Sequence, residues 1–128
     1  MLKIVIYGNP ITKKNHGRIV QKKLKGGKSI PIMLPSESYK KYEDNAKQYM
    51  PKLETPIDYP INLKCTYYME TKRKCDITNL LQATCDILVK YKIVEDDNYT
   101  IISSIDGTNV QYDKENSRVE IEITKKES

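Results

Sequence analysis

Phenylalanine and tryptophan are missing from this 128-residue chain, and histidine occurs once. Ten tyrosines are the only aromatic residues, so most of them are expected in the core, each hydroxyl reaching a partner or water. Cysteine is scarce: Cys65, Cys75 and Cys85 are odd in number and form no C-x-x-C pair. That pattern argues against a zinc site or a disulfide scaffold and predicts reduced thiols in a cytoplasmic setting. No apolar run approaches the roughly 20 residues of a membrane span. The opening MLKIVIYGNP does not have the layout of a secretory signal. Repeats and low-complexity segments are absent as well. With 38% hydrophobic and 30% charged residues, the composition is that of a soluble globular protein with one modest core, a single domain over 1–128.

Acidic residues are absent from the first 36 positions, which carry Lys3, Lys13, Lys14, Arg18, Lys22, Lys23, Lys25 and Lys28. The net charge of +5 therefore divides into +8 in front and −3 behind. A basic arm on a near-neutral body points to a polyanionic partner, nucleic acid before a merely solvated lysine-rich loop. Arg18 to Leu24 and Lys28 to Leu34 flank Gly26-Gly27 and predict a two-stranded basic hairpin able to lie along phosphates. His16, alone beside Lys13 and Lys14, is read as an exposed phosphate neighbour and carries no assigned chemistry.

Alternation predicts strands over Leu2–Tyr7, Ile61–Met69 and Val119–Ile123, with a further strand over Tyr99–Ile105. Ser36 and Glu37 open a first helix reaching about Met50, with Tyr39, Tyr42, Ala46, Tyr49 and Met50 as its apolar stripe. Asp106-Gly107 marks a turn. The order strand, hairpin, helix, strand, helix, strand, strand implies an α+β fold: a small mixed β-sheet with two helices on one face.

The rest of the chain is organised around KRKCDITNLLQATCDILVKYKIVEDD, from Lys72 to Asp97. Three bases precede a second helix, capped by Asp76 or Thr78. Ile77, Leu80, Leu81, Thr84, Ile87, Leu88 and Tyr91 recur at helical spacing as a buried face. Asn79, Gln82, Asp86 and Lys90 align as a polar edge leading back toward Asp76. Acids at such an edge, beside Lys72, Arg73 and Lys74, suit a divalent cation acting on a phosphodiester. Each also has a plainer reading: Asp76 as a helix cap worth about 1 kcal/mol, Asp97 as a loop acid beside Asp96, Glu95 as a solvated side chain.

K-x-D-I-x-N-L-x-x-A-x-x-D-x-L followed by D-D resembles the core of the RusA family of Holliday-junction resolvases. The earlier G-x-P-x-x-K-K-N (Gly8, Pro10, Lys13, Lys14, Asn15) and P-S-x-x-Y (Pro35, Ser36, Tyr39) are similar to the family's opening and the start of its first helix. The resemblance implies a small homodimeric endonuclease of bacteria or phages. It would use Mg²⁺, with Mn²⁺ as a substitute, to nick two opposed strands of four-way or branched DNA. It also implies the same architecture. Asp76 and Asp97 match family acids that serve the metal and catalysis. Thr78 stands where the family has a further Asp, offering a hydroxyl in its place, and Gln82 where some members have a catalytic Lys. Asp86 is a further catalytic candidate. Lys13, Lys14, Asn15, Arg18, Lys22, Lys23, Lys25, Lys72, Arg73, Lys74 and Gln82 are the expected DNA contacts.

Two alternatives stay open: a branched-DNA-binding protein of the same family with an impaired site, and a nuclease for other nucleic-acid structures. Helix length adds one further expectation. Asp76 precedes, and Asp97 follows, a rod of roughly 20 Å, which suggests an active site shared across a dimer two-fold.

Overall fold

The computed structural model describes residues 1–13, 18–34 and 37–126. Strands β1 (Leu2–Tyr7), β4 (Ile61–Met69) and β7 (Arg118–Lys125) are the long strands of a five-stranded mixed sheet, with β1 at one edge. β7 lies between β1 and β4 and is antiparallel to both. Two short strands, β5 (Ile102–Ser104) and β6 (Asn109–Tyr112), run parallel to β4 along its other edge. Strands β2 (Arg18–Lys23) and β3 (Ser29–Leu34) pair separately as a two-stranded antiparallel hairpin. Gly26 and Gly27, both at positive φ, turn the chain, and Leu24 N–H donates to Lys28 O at 2.7 Å.

Alternation along the strands separates two chemistries. Ile4, Ile6, Ile61, Leu63, Cys65, Tyr67, Val119, Ile121 and Ile123 are buried on one face. Their neighbours form a charged outer face, with Lys3–Glu120 at 3.7 Å, Lys64–Glu122 at 3.3 Å and Arg118–Glu120 at 2.8 Å. Both helices cover the apolar face. Helix α1 (Glu37–Ala46) packs Tyr42 and Ala46 into the core and continues as a 3-10 turn, Lys47–Tyr49. Helix α2 (Ile77–Lys90) buries Leu80, Ala83, Thr84, Ile87 and Leu88. The chain therefore has the expected fold: a mixed sheet with two helices on one face.

Several local expectations are corrected. The regular first helix stops at Ala46 instead of running to Met50. The strand expected over Tyr99–Ile105 shrinks to three residues, and β6 was not anticipated. Ile77 is 39% exposed, because the first turn of α2 projects past the core, while Ala83 belongs to the buried face. Only Tyr39, Tyr42 and Tyr67 are buried, so most tyrosines are not core residues. Instead they offer ring faces to cations: Tyr112 to Lys72, Tyr91 to Lys90, Tyr68 to Arg118 and Tyr59 to Lys125, with nitrogen or guanidinium carbon 3.8 to 5.6 Å from the centroid. The proposed cap at Ser36, like Pro35, lies outside the described residues.

The buried face of α2 sets its rotation against the sheet, and one polar contact marks it. Thr84 Oγ1 donates to Leu80 O at 3.1 Å and lies 2.7 Å from the Tyr67 hydroxyl of β4. A threonine hydroxyl has one proton, so Tyr67 is the donor in that pair. With Thr84 turned to the sheet, the edge carrying Asn79, Gln82 and Asp86 faces away from it.

Candidate functional site

Three segments meet along that edge. The first leaves β1 at Gly8, whose φ of +112° lies in a region that side chains disfavour. Asn9 Oδ1 then accepts from Glu70 N–H at 3.0 Å, tying this loop to the end of β4. Pro10 and Thr12 are buried, and the loop delivers Lys13 to α2.

The second segment is α2 itself. Asp76 holds the N-cap position in extended backbone, yet its carboxylate makes no capping hydrogen bond. It accepts instead from Asn79 Nδ2 at 3.4 Å, so the plain capping role is not the one adopted. Thr78 is exposed in the first turn. Gln82 Nε2 donates to Asp86 Oδ1 at 2.9 Å, the geometry of an i, i+4 pair.

The third segment returns from the helix end. Lys92, at φ 59°, reverses the chain. Ile93 and Val94 are buried, and both N–H groups donate back to Leu88 O, at 2.9 and 3.4 Å. Glu95 N–H then donates to Ile57 O at 2.9 Å. Asp97 is thereby carried back to Gln82, whose Nε2 donates to Asp97 Oδ2 at 3.4 Å. Gln82 lies about 12 Å up the axis from the helix end at Lys90, at 1.5 Å per residue. The chain thus folds back along the last turns of the helix, and one amide touches Asp86 and Asp97 of the same chain; Asp76, the acid that the shared-site expectation pairs with Asp97, lies six residues, or about 9 Å, beyond Gln82 along the axis.

Two hollows join at Lys13 and Asp86. One, of about 160 Å³, is lined by Asn79, Gln82 and Ala83 besides these two; the other, of about 390 Å³, by Glu43, Val89, Lys90, Asp96 and Asp97. Lys13 Nζ stands 3.1 Å from Asp86 Oδ2 and 5.4 Å from the centroid of the buried Tyr39 ring. Lys90 is turned to α1, at 2.6 Å from Glu43 and 3.9 Å from Asp44, and the Glu43 hydrogen bond raises its pKa. The backbone N–H of Asp97, with the Asn98 amide second, holds the Asp96 carboxyl below its ordinary range. Negative potential reaches the helix interior: burial first, then Asp97 and Asp86, push the Cys85 thiol up to about 12.

The donor set suits a hard divalent cation. Asp86 and Asp97 present carboxylate oxygens around one amide, with Asp76 about 15 Å further up the same edge, and Mg²⁺ is commonly held by one or two carboxylates plus substrate phosphates. Among the described residues, no three His, Cys, Asp or Glu side chains cluster closely enough to form an all-protein cage.

The expected DNA contacts fall in separate places. Lys22, Lys23 and Lys25 are exposed on the hairpin. Arg18 opens β2, its side chain outside the description, and Lys14, Asn15 and His16 lie outside the described residues. Arg73 and Lys74 line a third cleft, of about 370 Å³, together with Asn9, Thr12, Glu70 and Cys75. Lys72 is exposed over Tyr112. Gln82, expected at DNA, is engaged by the two carboxylates. What sequence reasoning missed is Lys13 as a partner of Asp86 and Tyr39 as its platform. The only signal for either is the K-K-N and P-S-x-x-Y spacing, which says nothing of their meeting.

The family described as endodeoxyribonuclease RusA matches residues 8–124, and the chain belongs to that family. Curated proteins yield no match to it. Among the described residues no helix is long and apolar enough to cross a membrane.

Proposed function

We propose that the protein is a divalent-metal-dependent endodeoxyribonuclease that resolves four-way DNA junctions by paired nicking, in recombination and repair. The observation that carries this reading is the Gln82 amide, which gathers Asp86 and Asp97 beside Lys13 in a chain of the RusA family. A bound Mg²⁺, or Mn²⁺ in its place, would be held by Asp97 and Asp86, with Asp76 and the Thr78 hydroxyl above them. It supplies Lewis-acid activation of water and neutralisation of charge at the phosphate.

The chain's own residues do the rest. Gln82 keeps the two carboxylates oriented toward one point. Asn79 holds Asp76 on the same edge. Arg73, Lys74 and Lys72 seat phosphates next to the acids, while Lys22, Lys23 and Lys25 lie along a junction arm as point charges. Such contacts position DNA and read little sequence. The active unit is a homodimer of one RusA-like domain per chain, whose two-fold meets a junction with opposed strands related by a similar two-fold.

The test is nicking of a synthetic four-way junction with Mg²⁺ or Mn²⁺, mapped on all four strands. Symmetric cuts on two opposed strands are expected, and a linear duplex should stay intact. A second reading, a branched-DNA-binding protein with an impaired site, is favoured by one observation: Thr78 supplies no charge where the family has a carboxylate. Structure-selective binding without cutting under any divalent ion would establish that reading instead.

A further inference from the structure

Charge accounting around the cleft singles out one cation, Lys13. Glu43, Asp86, Asp96 and Asp97 line the cleft; Lys90 offsets Glu43, leaving three negative charges, and a phosphodiester adds a fourth. A divalent cation covers two. Gln82 is neutral. Lys90 is committed to Glu43 and Asp44 on α1. Lys13 has its ammonium 3.1 Å from Asp86 Oδ2, on an acid bonded to the Gln82 amide, whereas the partners of Lys90 are on α1. Its side chain is 41% exposed, so the ammonium is within reach of an incoming ligand. The buried Tyr39 ring beneath it fixes where the ammonium can move.

Resting on the function proposed above, we propose that Lys13 is a catalytic residue: on substrate binding its ammonium passes from Asp86 to a non-bridging oxygen of the scissile phosphate. There it opposes the negative charge that grows as water adds to phosphorus and the ester oxygen leaves. Lys13 gives and takes no proton, and it makes and breaks no covalent bond. Releasing Asp86 also frees that carboxylate for the metal. The ammonium thus competes with the metal in the empty cleft and assists it in the loaded one. A lysine that only tracked the DNA backbone would have no such double effect.

The experiment compares the parent with Lys13→Gln, Lys13→Arg and the double variant Lys13→Gln/Gln82→Lys. Single-turnover nicking is measured at saturating protein, and junction affinity separately without metal. Lys13→Gln is expected to slow nicking about 100-fold, as loss of a fixed charge-stabilising group does, while affinity changes less than about threefold. Arginine at position 13, or lysine at position 82, should recover at least about tenfold of that rate. An unchanged saturated rate with weakened binding would overturn the proposal and leave Lys13 a backbone contact. A loss that neither cationic variant repairs would overturn it too, leaving only packing on Tyr39.

Mn²⁺ binding, followed by electron paramagnetic resonance without DNA, separates this inference from the reading it rests on. Lys13→Gln should bind Mn²⁺ at least about threefold more tightly, because a competing positive charge is gone from Asp86. If the parent cuts no junction, the nuclease reading falls, and the Mn²⁺ comparison still decides Lys13: equal affinities overturn its competition for Asp86.

Discussion

The Tyr67–Thr84 pair makes an asymmetric prediction. Thr84 sits between Gln82 and Asp86 on the opposite side of α2, and its hydroxyl accepts from Tyr67 while donating to Leu80 O. In Tyr67→Phe the threonine keeps its donor bond and loses one acceptor contact, so the cost is about 1 kcal/mol or less. In Thr84→Val the shape is kept, but a buried Tyr67 hydroxyl loses its oxygen partner. Leaving such a donor without a good acceptor costs about 1–3 kcal/mol. The neighbouring Cys65 sulfur is a weak acceptor, which places the value toward the lower end of that range.

The double variant removes both polar groups and should be less destabilised than Thr84→Val alone. Urea unfolding of the four proteins, followed by circular dichroism, gives the cycle, with a coupling of about 1 kcal/mol expected for residues in direct contact. Additive effects, or a double variant worse than Thr84→Val, would refute the donor assignment. Nicking by Thr84→Val should fall far less than in variants of the acids, since the pair does not touch substrate.

Asp97→Asn and Asp86→Asn should each lower nicking at least about 100-fold with junction binding retained, and mixing the two variant chains should restore nothing, because Gln82 joins both acids within one chain. Thr78→Asp should lower the Mg²⁺ concentration that gives half-maximal nicking, measured by titration; an unchanged requirement would mean that Asp86 already fills that role. Replacing Lys22, Lys23 and Lys25 together by Gln should flatten the dependence of junction affinity on salt by about 2–3 in log–log slope, read from gel shifts at several salt concentrations. Burial pushes the Cys65 thiol from 9.0 up to about 12, so the unfolded chain ionises first and stability falls as pH rises above 9. By pH 10 that thiol alone should cost on the order of 1 kcal/mol, and Cys65→Val should remove this part of the alkaline slope in urea midpoints.

The strands that bury alternate residues were legible because burial writes itself into the sequence with a period of two. One face of β1, β4 and β7 is covered by helices, and their buried Ile, Leu, Cys, Val and Tyr positions alternate with less buried, mostly polar or charged residues. β6 gives no such signal: Val110, Gln111 and Tyr112 are all exposed, and the strand is held by backbone pairing to β4. The tyrosines misled for a related reason. A ring with a hydroxyl satisfies the core and the surface alike, and composition alone does not reveal that Lys72, Lys90, Arg118 and Lys125 lie against such rings.

The acids of the site divide along the same line. Asp76, Asn79, Gln82 and Asp86 were readable as one edge because helical periodicity is local. The position of Asp97 was not, since it depends on three non-local events: a left-handed turn at Lys92, burial of Ile93 and Val94, and the hydrogen bond of Glu95 to Ile57. A rod of helix with acids beyond both ends suggests two separate ends that only a partner chain can unite. Once the chain folds back, Gln82 is the meeting point. The neutral amide of Gln82 hydrogen-bonds Asp86 and Asp97, and the cation beside them, Lys13, comes from another segment. Sequence position therefore singles out candidate carboxylates, and tertiary packing determines which cation faces Asp86.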